Sequence, residues 1–246
     1  MLINLLSAQK APDRLTDIAT ELGLSKTTAY RALSILKTAQ WVTQDPDTKK
    51  FTLGPRVLEL GLSMLSQLDL RTAGLPWLRQ LRNTTHEASM LSARVGFERM
   101  YIEQIQSDHE VGWRVELGKR FPLWLGAPGK AILAYLEESE IEAIIDNFRK
   151  SGVQVYASGQ LVDIERLRKE LAEIRRQGFA VSVGERLLAV PALAAPIFDY
   201  NGKPIGAISL GGPLPRFTME MALGYGGLVS KAAKEISSKL GYMTGV

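Results

Sequence analysis

Apolar residues in the first forty positions recur at helical spacing in three blocks. Leu2, Ile3, Leu5 and Leu6 predict a first helix over residues 1 to about 10, and Pro12-Asp13 breaks it. Leu15, Ile18, Ala19 and Leu22 share one face of a second helix. Gly23 then supplies a tight reversal, because a residue without Cβ takes positive φ at little cost. Ser25 follows as the N-cap of a third helix over 25–40. Leu24, Ala29, Leu33 and Leu36 form its buried stripe, which leaves Lys26, Thr27, Thr28, Tyr30, Arg31 and Ser34 on the opposite face. Two helices around a glycine turn make a helix-turn-helix, and from Ser25 to Lys37 the second carries three basic residues and no acidic one. That face suits a major groove: Lys26 and Arg31 can meet phosphates or guanine edges, and the threonines meet phosphate or thymine methyls.

Trp41-Val-Thr-Gln44 and Phe51-Thr-Leu53 flank the turn-rich segment 45–50 and predict a β-hairpin, which behind a helix-turn-helix is a wing. Lys49 and Lys50 at its tip are placed for backbone phosphate or a minor groove. After Gly54-Pro55, the residues Val57, Leu58, Leu60, Leu62, Met64, Leu65 and Leu68 make a strongly apolar helix up to Gly74-Leu75-Pro76. Such a face needs burial, either against a second subunit or against the rest of its own chain. A helix from Pro76 to about Thr85 opens a second domain. Three strands of a meander follow at 88–95, 99–106 and 111–117, then helices at 137–150 and 162–177, the latter with Leu161, Ile164, Leu167, Leu171 and Ile174 along one stripe. Gly178 is its C-cap. Strands at 179–183, 193–199 and 204–211 return, the last two joined through Asn201-Gly202, and a helix over 219–240 closes the chain.

Composition changes this picture little. The 246 residues are 46% hydrophobic and 23% charged, enough for two ordinary domains, and the net charge of +4 permits a polyanionic partner without requiring one. With no cysteine, disulfides, thiolate metal sites and cysteine nucleophiles are excluded, and two histidines, His86 and His109, lie in no metal-ligand spacing. No metal or cofactor is expected. An apolar run too short for a signal peptide and the lack of a stretch of about 18 apolar residues point to a cytoplasmic protein with no membrane partner. Gly126-Ala-Pro-Gly-Lys-Ala imitates a phosphate loop, but Trp124 stands where that motif needs glycine and Ala131 where it needs a hydroxyl. It reads instead as a loop entering a helix at Gly129, whose N–H groups either face a ligand carboxylate or form a plain helix start.

The order Gly23-Leu-Ser-Lys-Thr-Thr-Ala-Tyr-Arg31, Gln44-Asp-Pro46, Phe51-Thr-Leu-Gly54, Gly129-Lys-Ala-Ile-Leu-Ala134, Gly178-Phe-Ala-Val-Ser182, Ala194-Ala-Pro-Ile-Phe-Asp199 and Ile208-Ser-Leu-Gly-Gly-Pro213 resembles the IclR family of transcriptional regulators over the whole chain. The resemblance implies an α+β protein: a winged helix-turn-helix over 1–54, a linker or dimerisation helix over 55–73, and a GAF-like antiparallel-sheet effector domain with flanking helices over 74–246. It implies a double-stranded DNA operator contacted by Ser25, Lys26, Thr27, Thr28, Tyr30, Arg31, Lys49 and Lys50, assembly as homodimer or homotetramer, and a small-molecule effector. The same resemblance puts Trp113, Phe121, Trp124, Ala127, Pro128, Gly129, Ser182, Glu185, Val190, Ala192, Ser209 and Gly211 near the effector pocket. Ser182 and Val183 stand where many members are acidic, and with two tryptophans nearby the mouth reads as aromatic and poorly charged. The expected effector is an aromatic or apolar carboxylate meeting the helix N-terminus and the Ser209 hydroxyl; alternatively, Trp113 and Trp124 fill the sheet's core. A constitutive DNA-binding protein is one rival, and an enzyme using Glu185, Arg186 and Ser209, for which no nucleophile–base pair is legible, is another.

Overall fold

The computed structural model describes residues 2–6, 13–60, 69–152, 154–214 and 216–242, and the chain divides into two compact units, Met1–Gln67 and Leu68–Val246.

In the first unit, α1 (Leu2–Leu6), α2 (Leu15–Glu21) and α3 (Lys26–Thr38) precede a hairpin of β1 (Val42–Gln44) and β2 (Phe51–Leu53), and residues 55–60 form α4. Leu6, Ile18, Leu33, Val42 and Phe51 close a small core between them. Gly23 takes φ +62, the left-handed turn between α2 and α3. The Ser25 hydroxyl accepts from the Thr28 N–H at 3.1 Å and so fixes where α3 begins. At the wing tip the Asp45 carboxylate accepts from the N–H groups of Asp47 (3.0 Å) and Thr48 (2.7 Å), a local turn that the sequence predicts only as turn-rich. The expected remainder of the first helix and residues 61–68 of the apolar linker helix lie outside the described residues; within α4, Leu58 and Leu60 are exposed.

The second unit is a six-stranded antiparallel sheet in the order β5-β4-β3-β8-β7-β6. Its strands are β3 (Ala88–Val95), β4 (Glu98–Ile105), β5 (Arg120–Pro122), β6 (Ala180–Ser182), β7 (Ala192–Phe198) and β8 (Pro204–Gly211). One face packs α5 (Asp69–Thr85) and α10 (Gly226–Lys239). The other carries α6 (Gly126–Leu133), with α7 (Glu138–Lys150) and α8 (Ile164–Gln177) extending the same core. The short α9 (Met219–Gly224) leads into α10.

Four local expectations are corrected. The sequence suggests a helix ending at Gly74-Leu75-Pro76 and another starting at Pro76, yet α5 runs unbroken through Pro76. Thr72, whose carbonyl loses its helical partner to proline, lies with Pro76 on the exposed side. Residues 111–117 are not a strand, and Arg120–Pro122 is the third strand of the meander. The Gln104 side chain donates to the Trp113 carbonyl at 2.7 Å and accepts from the Val115 N–H at 3.0 Å, so an amide side chain replaces a strand ladder there. Leu161 precedes α8 and is exposed, because Asp163 caps the helix with bonds from Glu165 and Arg166 N–H. Finally, the closing helix is two helices meeting at Tyr225 between Gly224 and Gly226.

Candidate functional site

On the first unit, Ala29 and Leu33 are fully buried and hold α3 against α2 and the wing, so the opposite face projects outward as one surface. Ser25, Lys26, Thr27, Thr28, Tyr30 and Arg31 are all exposed on it. The hydroxyls of Ser25 and Thr28 lie 2.8 Å apart, so each is partly committed to the other. Beside this face runs a groove of about 430 Å³ whose lining includes Arg14, Thr16, Tyr30, Thr48 and Lys49 and no acidic side chain. Arg14, Thr16 and Thr48 are not legible as site residues in the sequence, because only the fold brings the start of α2 against the wing. The two wing lysines differ. Lys49 bends back to the Pro46 carbonyl at 2.6 Å, whereas Lys50 forms an ion pair with Asp13 at 2.7 Å and braces the base of the wing. That pairing keeps the Asp13 carboxyl below its ordinary range through the Lys50 hydrogen bond.

In the second unit a small cavity lies between α6, the rim of β4 and the 183–191 segment joining β6 to β7. It is lined by Trp113, Ala127, Pro128, Ser182, Val190 and Ala192 from the sequence-predicted set, together with Gly126. Arg99, Tyr101 and Arg186 also line it. Its volume is about 10 Å³, room for roughly one water. Arg99 and Tyr101 are two apart on β4 and so share a face, and Arg99 stands opposite Phe121 on β5. The Arg99 guanidinium lies 4.6 Å from the Tyr101 ring and 5.2 Å from Phe121; that of Arg186 lies 4.8 Å from Trp113 and 5.1 Å from Phe121. Cation–π attraction of this kind is worth up to about 2 kcal/mol when desolvated. Desolvation lowers the Arg186 guanidinium below its ordinary range, and the neighbouring Arg99 charge adds to the effect.

Other predicted residues lie near the cavity but in different roles. Glu185 accepts from the Gly126 N–H at 2.9 Å, Ser182 accepts from the Ala127 N–H at 2.9 Å, and both thereby cap α6. The helix thus begins at Gly126, three residues before the expected Gly129, and its first donors are engaged by the protein itself. Gly129 is glycine because α6 presses on the backbone of Leu123, where a Cβ would meet the carbonyl oxygen at 2.5 Å. The Ser209 hydroxyl, the other expected carboxylate donor, bonds the Met90 carbonyl at 3.3 Å inside the sheet. Gly211 leaves room for the Trp113 indole, which would overlap any Cβ there. Trp124 does not line the cavity; half-buried, it packs on Phe148 (5.3 Å) and Tyr156 (6.4 Å) against the edge of the core.

Behind the cap, the buried Lys130 Nζ pairs with Glu170 at 2.8 Å and with Glu185. Arg166 also pairs with Glu170 at 3.0 Å. Burial raises the Glu170 carboxyl, but the Lys130 and Arg166 charges outweigh it and hold the group below its ordinary value of 4.5. Two cations face two carboxylates, so this cluster is neutral. Sequence reading undervalued the cavity's charge: Arg186 figures only in the enzyme alternative and Arg99 in none, since one arginine within a strand pattern gives no sign of where it points. Among the described residues no group of His, Asp and Glu is placed to hold a metal ion, and no helix is long and apolar enough to cross a membrane.

Comparison with known proteins covers both units. Residues 62–238 match the family described as "Bacterial transcriptional regulator IclR C-terminal" and residues 1–46 the "IclR helix-turn-helix domain". The chain is 31% identical over 226 residues to the HTH-type transcriptional repressor AllR of Escherichia coli K12, covering 92% of this chain and 82% of that protein. It is 29% identical over 231 residues to the transcriptional repressor IclR of the same strain, covering 93% and 83%. Among solved structures, the IclR transcriptional regulator from Alicyclobacillus acidocaldarius superposes with a TM-score of 0.84 at 28% identity, covering 98% of this chain and 96% of that one.

Proposed function

This chain belongs to the IclR family of bacterial transcriptional regulators, and on that premise we propose that it binds a double-stranded operator as a homodimer or homotetramer under the control of an aromatic or apolar carboxylate. At the coarser level it is a DNA-binding regulator with a ligand-binding C-terminal domain and not an enzyme, as its named relatives are. In this reading residues 1–54 carry the DNA contacts, 55–73 couple and pair the subunits, 74–246 sense the ligand, and the protein works in the cytoplasm where its operator lies. The observation that carries the DNA assignment is the outward face of α3: Lys26, Thr27, Thr28, Tyr30 and Arg31 are exposed while Ala29 and Leu33 on the reverse side are wholly buried. Lys49 belongs with that face, and Lys50 acts by positioning the wing through Asp13. A dimer sets two such helices one helical turn apart, about 34 Å. For the sensor, the aromatic lining of the cavity favours a ligand with a planar or apolar framework, and its small volume means that entry displaces a side chain. Ligand binding then biases the paired reading heads, a coupling between two distinct sites.

The test is operator binding by the full chain. Arg31→Ala should weaken it on the order of tenfold or more, about 1–3 kcal/mol, and relax sequence preference at one base pair; a loss uniform across sequences would make Arg31 a phosphate contact. Operator affinity that no aromatic acid, aliphatic carboxylate or sugar acid alters would replace the sensor with a constitutive DNA-binding protein.

A further inference from the structure

From the cavity's unpartnered cations we infer that Arg99 and Arg186 form a two-guanidinium clamp for the effector and that the ligand class it selects is a dicarboxylate. This deepens the sensor reading above and rests on it. Arg99 is fully buried, and neither its Nε nor its Nη1 has a hydrogen-bond partner among the described residues; Nη2 of Arg186 is likewise buried and unpartnered. Two further donors at the same cavity, the Tyr101 hydroxyl and the Trp113 indole N–H, are also buried without partners. Buried polar groups are ordinarily satisfied, and a buried cation ordinarily has an anion. Here four donor side chains converge and no acceptor answers them.

Neither acid that adjoins these arginines in the chain can serve: Glu98, beside Arg99 on β4, alternates to the other face of the strand and pairs with Arg120 at 3.7 Å. Glu185 adjoins Arg186 in the chain, yet its carboxylate is taken by the Gly126 N–H and Lys130, within a cluster whose charges already balance. The cavity therefore holds two positive charges with no counter-charge among the described residues that line it, set against the faces of Tyr101, Phe121 and Trp113. A monocarboxylate would leave one of those charges uncompensated in a desolvated site, whereas a dicarboxylate neutralises both and offers planar acceptors to each guanidinium fork. The engaged N-terminus of α6 and the engaged Ser209 hydroxyl leave the guanidinium pair as the carboxylate partner.

The experiment is calorimetric binding and thermal unfolding of the full chain with matched probes. These are benzoate against the benzene-1,2-, 1,3- and 1,4-dicarboxylates, butyrate against succinate, and the corresponding neutral amides. We expect at least one dicarboxylate to bind at least tenfold more tightly than its monocarboxylate partner, with no binding of the amides. Arg186→Met and Arg99→Met should each weaken that dicarboxylate thirtyfold or more while leaving the ligand-free melting temperature unchanged or raised, because an unpaired buried charge has been removed. If Arg99→Met fails to fold, the charge-keeping Arg99→Lys and the less buried Arg186→Met carry the test. Equal binding of mono- and dicarboxylates, or arginine variants that lower ligand-free stability and leave the affinity ratio intact, would overturn the clamp but leave the sensor standing. Absence of binding by every acid would bring down the carboxylate sensor reading itself.

Discussion

Replacing Gly129 by alanine sets two effects of opposite sign against each other. Glycine inside a helix costs about 1 kcal/mol relative to alanine, so an unobstructed exchange stabilises. At Gly129 the added Cβ would lie 2.5 Å from the Leu123 carbonyl oxygen and 3.0 Å from its carbon, where ordinary contact starts near 3.4 Å. Both neighbours are backbone, so no rotamer change relieves the clash, and α6 has to move off the 123 segment by roughly 0.9 Å in a close-packed interior. Every residue of α6 is buried, and overpacking of this kind costs about 1–3 kcal/mol. The clash offsets or outweighs the propensity gain, for a net loss of up to about 2 kcal/mol and a melting temperature lower by up to roughly 8 °C in a unit of this size. Gly227 in α10 is the internal control, since a Cβ there meets nothing within 4 Å. Gly227→Ala should keep or raise the midpoint, by up to ~1 kcal/mol. Differential scanning calorimetry on the two variants decides the matter. A Gly129→Ala midpoint above that of the parent chain would refute the close approach of α6 as the reason for glycine at that position.

Lys130→Met should cost about 3–5 kcal/mol by taking the buried cation from Glu185 and leaving Glu170 with Arg166 alone. Because the folded Glu170 carboxyl is depressed below 4.5, its stabilisation is complete above that pH and fades as pH falls through the lower folded value. The stability gap between Lys130→Met and the parent chain should therefore narrow in urea titrations below about pH 4.5, and a gap constant down to acid pH would contradict the pairing. Leu33→Ala, which empties a wholly buried position between α3, α2 and the wing, should cost about 2–5 kcal/mol and weaken operator binding by loosening the helix; chemical denaturation followed by far-ultraviolet circular dichroism measures it. Ser25→Ala should remove about 1 kcal/mol by freeing the Thr28 N–H, read as a lower midpoint in the same titration.

Most elements of the chain were legible before any tertiary contact was known. The α3 stripe of Ala29 and Leu33, the Ser25 cap, the Gly178 C-cap with φ +85 and the Asn201-Gly202 turn are local, because each depends on backbone conformation or on side chains within one turn. The expectations that failed locally did so through surroundings the chain does not show: Gln104 holds residues 113–115 out of a strand, and α5 passes through Pro76 because solvent can take the released carbonyl.

Sequence alone thus settled most of the element types, the outward face of α3 and, through the ordered motifs, the family. Only the tertiary structure decided which polar groups were already spent. The α6 N-terminus and Ser209 both look free for a ligand along the chain, but Glu185, Ser182 and the Met90 carbonyl engage them across separations of 59, 55 and 119 residues. Conversely, nothing along the chain marks Arg99 or ties Arg186 to it until folding removes water from both and, among the described residues, brings no anion. Hydrogen-bond satisfaction and desolvation are properties of the enclosed space, and periodicity along a chain carries no record of what will stand opposite a side chain once that space closes.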